Sequence, residues 1–189
     1  MTAQESLNRL KEGNARFVAD KLDGKLQNSS RRKSITGGQE PYAIILSCAD
    51  SRIVPELAFD TGLGELFVVR VAGNIANTSS MASIEYAVAH VGSKLIVVLG
   101  HQNCGAVTAA VKGGDNGHNL KHLLSHIDPA ISASKEGDTV NDIAKINAEL
   151  TVSKLINKSE IIRNAIDKGD VKIVPAFYNL SSGKVDFLD

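Results

Sequence analysis

The chain contains no tryptophan, only two cysteines, and no surplus of charge of either sign. Its 21 Lys and Arg residues are balanced by 21 Asp and Glu. No long-range positive field gathers phosphates, so neither nucleic acid nor an anionic membrane surface is an expected partner. No apolar run is long enough to cross a bilayer. The opening residues, MTAQESLNRLKEG, lack the apolar core of a secretory signal and carry acids that a transit peptide avoids. A reducing cytoplasm is the expected location, with an already removed targeting segment as the alternative. Two cysteines exclude a disulfide-rich scaffold. A single bridge between Cys48 and Cys104 is the lesser expectation, because a lone pair in a chain without a signal is more often metal-binding or reactive.

Neither an internal repeat nor a second domain is visible. The 189 residues fit one domain, with 1–40 as an N-terminal arm and connector. Residues 4–19 carry Leu7, Leu10, Phe17 and Val18 among charges and predict a weakly amphipathic helix. Residues 20–40 are polar and read as a solvated connector. Three short, β-branched runs follow: Tyr42–Ser47, Leu66–Val71 and Lys94–Leu99. Such runs suit strands buried on both faces of a parallel sheet. Helical spacing appears over 80–90, 104–112, about 119–134 and 141–168. Residues 172–178 predict a late strand that Pro175 confines to an edge or a bulge. After the Ser181-Ser182-Gly183 turn, 184–188 can pair back as a hairpin. The expected fold is α/β, a mostly parallel central sheet flanked by helices, with an N-terminal helical arm and a C-terminal edge hairpin.

Two fragments stand out against this frame: Cys48-Ala49-Asp50-Ser51-Arg52 and His101-Gln102-Asn103-Cys104. Cys48 comes directly after the first strand run, and His101 follows the third after Gly100. Open parallel sheets bind ligands outside the carboxyl ends of their strands. Cys104 opens the next helix, where the helix N-terminus favours a thiolate. Cys, His and Cys without an evident fourth protein ligand describe a catalytic zinc site rather than a closed structural one. Asp50 beside such a site can accept a hydrogen bond from bound hydroxide or take the fourth position itself. Arg52 can hold that carboxylate away through a bidentate pair.

These two fragments resemble the C-x-D-S-R and H-x-x-C motifs of the β-class carbonic anhydrases. The likeness continues through Phe67–Asn74, Ser83–Val88 and Gly100–Val107, and spans about residues 4–188 in motif order. It implies zinc, one ion per chain, on Cys48, His101 and Cys104, with Asp50 and Arg52 as the dyad that orients the nucleophile. It implies reversible CO2 hydration to bicarbonate and a proton by zinc-bound hydroxide. Gln39, nine residues before Cys48, resembles a glutamine that binds substrate from across a dimer interface. Phe67 and Tyr86 match aromatics of the substrate pocket, and Gly105 matches a position near the zinc. The family implies a homo-oligomer, a dimer or a dimer of dimers, with the N-terminal helix lying on the neighbour. Ile45 stands where a bicarbonate-regulated branch carries tryptophan, so the resemblance is to the plant-like, open-site branch.

Other readings remain open at this stage. Relatives with the same site hydrolyse carbonyl sulfide or carbon disulfide, and a non-catalytic zinc protein would keep the same ligands. Phe67 and Tyr86 have packing in the core as their lesser alternative, since aromatics fill cores routinely. Arg70, charged within an apolar strand, needs a partner, for which a subunit interface is one source. His118, His122 and His126 recur every four positions and read as a solvated helix face rather than a second metal site.

Overall fold

The computed structural model describes residues 1–188. The parallel strands β1 (Ala43–Ser47), β2 (Leu66–Arg70), β3 (Leu95–His101) and β4 (Lys172–Tyr178) lie in the order β2-β1-β3-β4. A short β5 (Val185–Phe187) runs antiparallel to β4 and closes that side. Every residue of β1 and β3 is buried. Their side chains alternate between two apolar layers, as a two-residue period requires. Ile45, Val97 and Leu99 meet Leu10, Phe59, Val107 and Ile127 on one face. Ile44, Leu46, Ile96 and Val98 meet Ile84, Leu155 and Ile162 on the other. The sheet is thus sandwiched between helices, the α/β architecture that the apolar runs predict.

Helix α1 (Ala3–Val18) begins with a Thr2–Glu5 capping box. Its apolar stripe is spent within its own chain: Leu7 and Leu10 are buried, and a Cβ on Gly13 would stand 1.9 Å from the Phe59 carbonyl oxygen. Packing within its own chain thus supports this short helix. Asn14 completes the attachment. Its Nδ2 donates to the carbonyls of Ala58 (3.0 Å) and Gly183 (2.8 Å), and its Oδ1 accepts from the Val185 amide at 2.8 Å.

The polar connector contains α2 (Ser29–Ser34), capped by Asn28 and exposed along its length, so no apolar period announces it. After α3 (Pro55–Ala58), β2 leads through a 3₁₀ turn (Ala72–Asn74) to α4 (Thr78–Tyr86), which ends in a π turn (Ala87–Val91) at Gly92. The helical region 119–134 is two helices, α6 (Gly117–Ser125) and α7 (Asp128–Ala133), which follow α5 (Gly105–Lys112). The region 141–168 divides into α8 (Val140–Lys158) and α9 (Glu160–Asp167) at Ser159. That residue's hydroxyl accepts the Ile162 amide at 3.1 Å and starts the new helix.

Pro175 lies inside a five-stranded sheet, contrary to the expectation of an edge or bulge. The Lys172 amide donates to Lys94 on the β3 side, so alternation turns the nitrogen of residue 175 away from β3. There β5 pairs only from residue 176, and Pro175 contributes just its carbonyl, to the Leu188 amide. No ladder bond is lost.

Candidate metal centre

The chain passes from β1 to β2 on one side and returns to β3 on the other, so strand order reverses between β1 and β3. Three ligand-type side chains meet at the carboxyl ends of these two strands. Cys48 follows β1, His101 is the last residue of β3, and Cys104 occupies the N-cap position of α5. All three are buried, both cysteines are free, and the donor atoms lie within 4.8 Å of one another. Donors around a tetrahedral zinc stand roughly 3.5–3.8 Å apart, so closure onto an ion needs a contraction of about 1.3 Å at most.

The surrounding backbone is built for thiolates. Gly73 donates its amide to Cys48 Sγ at 3.3 Å, and the Asp50 amide also faces that sulfur. The amides of Ala106 and Val107, in the first turn of α5, face Cys104. The hydrogen bond from Cys104, supported by His101 and the amides of Gly73 and Asp50, holds the Cys48 thiol well below its ordinary value against the effect of burial. The same contact and burial push Cys104 up. Left to themselves, the two sulfurs therefore share one proton, and a dication touching both displaces it. His101 is equally prepared. Its Nδ1 lies 2.9 Å from the Gln102 carbonyl, which fixes the proton there and leaves Nε2 as the acceptor. Nε2 is buried and has no hydrogen-bond partner among the described residues. A soft dication satisfies that atom and both thiolates, so the donor set fits zinc.

Asp50 and Arg52 form the expected pair at the open side. Arg52 Nε donates to Oδ1 at 2.9 Å, Nη2 to Oδ2 at 2.7 Å, and the Arg52 amide to Oδ1 at 2.9 Å. The guanidinium holds the Asp50 carboxyl far below the usual carboxylate range. Oδ2 stands 4.0 Å from His101 Nε2, near enough to address a species bound between them. Arg52 also reaches the Asn103 carbonyl at 3.3 Å and so joins the two ligand loops. Asn103 takes a left-handed φ of 52° and donates its amide to Asn141 Oδ1 at 2.8 Å.

Three positioning residues escape a reading of the motifs alone. Arg70 donates to the carbonyls of Cys48 (3.1 Å) and Asp50 (2.7 Å), so its partner lies within the chain and clamps the first ligand loop. Its charge inside an apolar strand was the available signal. Gly73 has a φ of 73°, and a Cβ there would stand 2.9 Å from Ile127 Cδ1. Asn147, on α8, donates to the Gly73 carbonyl at 2.8 Å, and nothing in the sequence marks it.

Of the remaining expected site residues, Gly105 opens α5 beside Cys104, with open space where a side chain would stand. Gln39, Phe67 and Tyr86 do not join the ligands within one chain. Gln39 is exposed and precedes β1, whereas Cys48 follows it. Five strand residues separate these ends by roughly 16 Å. Phe67 pairs with Ile44, four residues before Cys48. Its ring centroid lies 6.4 Å from that of Tyr86, which is 51% exposed and therefore not a core residue.

Among described residues, no helix is long and apolar enough to cross a membrane. A family model described as carbonic anhydrase matches residues 43–185. Carbonic anhydrase 2 of Mycobacterium tuberculosis is 37% identical over 186 residues, covering 95% of this chain and 90% of that protein. A Coccomyxa β-carbonic anhydrase solved with acetazolamide is 28% identical with a TM-score of 0.78, covering 96% of this chain and 86% of the other. A β-carbonic anhydrase from Sordaria macrospora, described as tetrameric, is 27% identical with a TM-score of 0.73 and 97% coverage of each chain. The sequence match runs through both ligand loops and the fold match through the whole sheet, and on these grounds the chain belongs to the carbonic anhydrase family, as a β-class enzyme.

Proposed function

We propose that this enzyme interconverts CO2 and bicarbonate, with zinc held by Cys48, His101 and Cys104. The observation that carries this reading is the held-back carboxylate. Asp50 stands 4.0 Å from His101 Nε2 yet is tied down by Arg52, which leaves a fourth position free beside three buried ligands. Zinc bound there would acidify a water and so supply a hydroxide nucleophile at neutral pH. Asp50 Oδ2, 4.0 Å from His101 Nε2, would accept a hydrogen bond from that nucleophile and so orient it toward CO2. Arg52 keeps Asp50 ionised and out of the ligand position. Arg70, Gly73 and Asn147 hold the Cys48 loop in place.

Gln39, Phe67 and Tyr86 complete the substrate pocket from a second copy. Their distance from the ligands of their own chain supports this, as does the free edge of β2, where a partner sheet can continue. The enzyme is accordingly a homodimer or an assembly of dimers, as the Sordaria relative is tetrameric. Ile45 fills the sheet interior without tryptophan, in keeping with a site open at all working pH values.

Stopped-flow CO2 hydration on protein of measured zinc content, before and after chelation, tests the proposal. Fast turnover that follows zinc content is expected. Zinc-loaded protein that turns over carbonyl sulfide or carbon disulfide but not CO2 refutes it.

A further inference from the structure

A histidine–lysine pair lies apart from the ligand loops, on the face where α8 meets α4 and α6. The row His118, His122, His126 is only partly a solvated helix face. His118 and His122 are exposed, but His126 is half-buried, and its Nδ1 lies 2.9 Å from Lys154 Nζ. Its Nε2 is buried without a partner. Both residues border a cavity of about 410 Å³, walled by Met81, Ala82 and Glu85 and overlooked by Lys158.

The charges around this amine are unusual. Lys154 and Lys158 stand one helical turn apart on α8 and face the same way. Among described residues, no carboxylate forms a salt bridge with either. The acid that borders the cavity, Glu85, is engaged by the Ser159 hydroxyl at 2.6 Å. His122 approaches His126 edge-on, with ring centroids 5.2 Å apart. Every group facing Lys154 is thus cationic or neutral, apart from the committed Glu85. Burial, then Lys158, push the Lys154 ammonium below its ordinary value, and burial, Lys154 and His122 do the same to His126. Both shifts raise the share of free amine and of neutral imidazole, the reagents for carbamate formation, in a pair held 2.9 Å apart.

We propose that Lys154 is a carbamylation site for CO2, with His126 as the proton acceptor. The Nζ lone pair forms a bond to the carbon of CO2, and one C–O π pair moves onto oxygen. The displaced N–H proton passes to His126 Nδ1. A neutral amine, neutral imidazole and CO2 become a carbamate anion and an imidazolium, so charge balances and no oxidant or reductant is needed. The product supplies a counterion for Lys158 and protonated His126. The apolar wall at Met81 and Ala82 suits an uncharged gas as the entering molecule.

The test supplies CO2 directly and so does not depend on turnover. The full-length protein is equilibrated with ¹³C-labelled CO2 and bicarbonate, trapped with a trialkyloxonium reagent, digested, and read by mass spectrometry. At neutral pH an ordinary exposed lysine is roughly one part in a thousand free amine, which sets the background. Trapped label on Lys154 is expected severalfold above that on exposed Lys33 and Lys168. K154R should remove it while CO2 hydration persists, and H126Q and K158M should each lower it. Label on Lys154 no higher than on Lys33 overturns the proposal, as does full label in H126Q and K158M together. Label at Lys154 in a protein that does not hydrate CO2 would sustain this inference and sink the proposed reaction.

Discussion

Asp50→Asn isolates the orienting carboxylate from the metal ligands. The aspartate receives three hydrogen bonds from Arg52: from Nε (2.9 Å) and the amide (2.9 Å) on Oδ1, and from Nη2 (2.7 Å) on Oδ2. Asparagine offers one acceptor oxygen in place of two. If its oxygen takes the Oδ1 position, its NH2 faces Nη2 and turns a donor toward the nucleophile. If it takes the Oδ2 position, the NH2 confronts both Nε and the Arg52 amide. Either arrangement loses at least one charge-assisted bond, each worth about 1.5–3 kcal/mol. It also loosens the acceptor that aims the nucleophile. Removal of one preorganised polar group from an active site costs about 10²–10³ in rate. We therefore expect kcat for CO2 hydration to fall about a hundredfold, or ~2.7 kcal/mol, with zinc content unchanged. Stopped-flow hydration with parallel metal analysis measures both. Activity within about twofold of the parent at equal zinc, a difference of ~0.4 kcal/mol, refutes the role assigned to Asp50.

Asn147→Ala deprives the Gly73 carbonyl of its donor and frees the amide that supports Cys48. A loss of about 2 kcal/mol in denaturant unfolding is expected, together with faster zinc loss to a chelator. Asn14→Ala removes three buried hydrogen bonds that hold α1 to Ala58 and the C-terminal hairpin, and should cost roughly 3 kcal/mol with little change in per-molecule activity. Stability against pH should follow the carboxylates. Burial alone would raise Asp60, but Arg16 and the amides of Asp23 and Gly24 hold it below its ordinary value. Its unfolded value is about 3.9, so its contribution is complete above about pH 4 and disappears as pH falls through the lower folded value. Asp60→Asn, which tolerates the left-handed φ of 47° there, should lower the midpoint at neutral pH and flatten the acid limb. CO2 hydration should rise with pH without a steep collapse near neutrality, because the bidentate pair with Arg52 holds Asp50 back from the ligand position.

What was legible in the chain is what local pattern encodes. Buried parallel strands read as apolar runs, and the three ligands stand out because each follows such a run or opens a helix. Boundaries were less visible where a single side chain makes them. Ser159 divides α8 from α9 with its own hydroxyl, without interrupting the helical spacing. Asn28 starts α2 in a stretch with no buried residue. Pro175 shows a rule overridden by register: proline is excluded from a strand by the bond it cannot donate, and here that bond points past the end of β5.

The site itself divides along the same line. Ligand identity resides in side chains and was readable, whereas the environment that suits those ligands to a metal resides in backbone. Four amides, from Asp50, Gly73, Ala106 and Val107, converge on two sulfurs from three separate segments of the chain. Only Gly73 leaves a trace in the sequence, because its positive φ and its closeness to Ile127 demand glycine. Such amides favour thiolate over thiol and so ease the proton loss that accompanies metal binding. They lie in the loop after β1, the turn after β2 and the first turn of α5, and they reach the sulfurs only once β1 and β3 have paired at the point where strand order reverses. Metal affinity in this chain is therefore a property of the assembled sheet, and Asn147, which touches neither sulfur, enters it by holding Gly73 from α8.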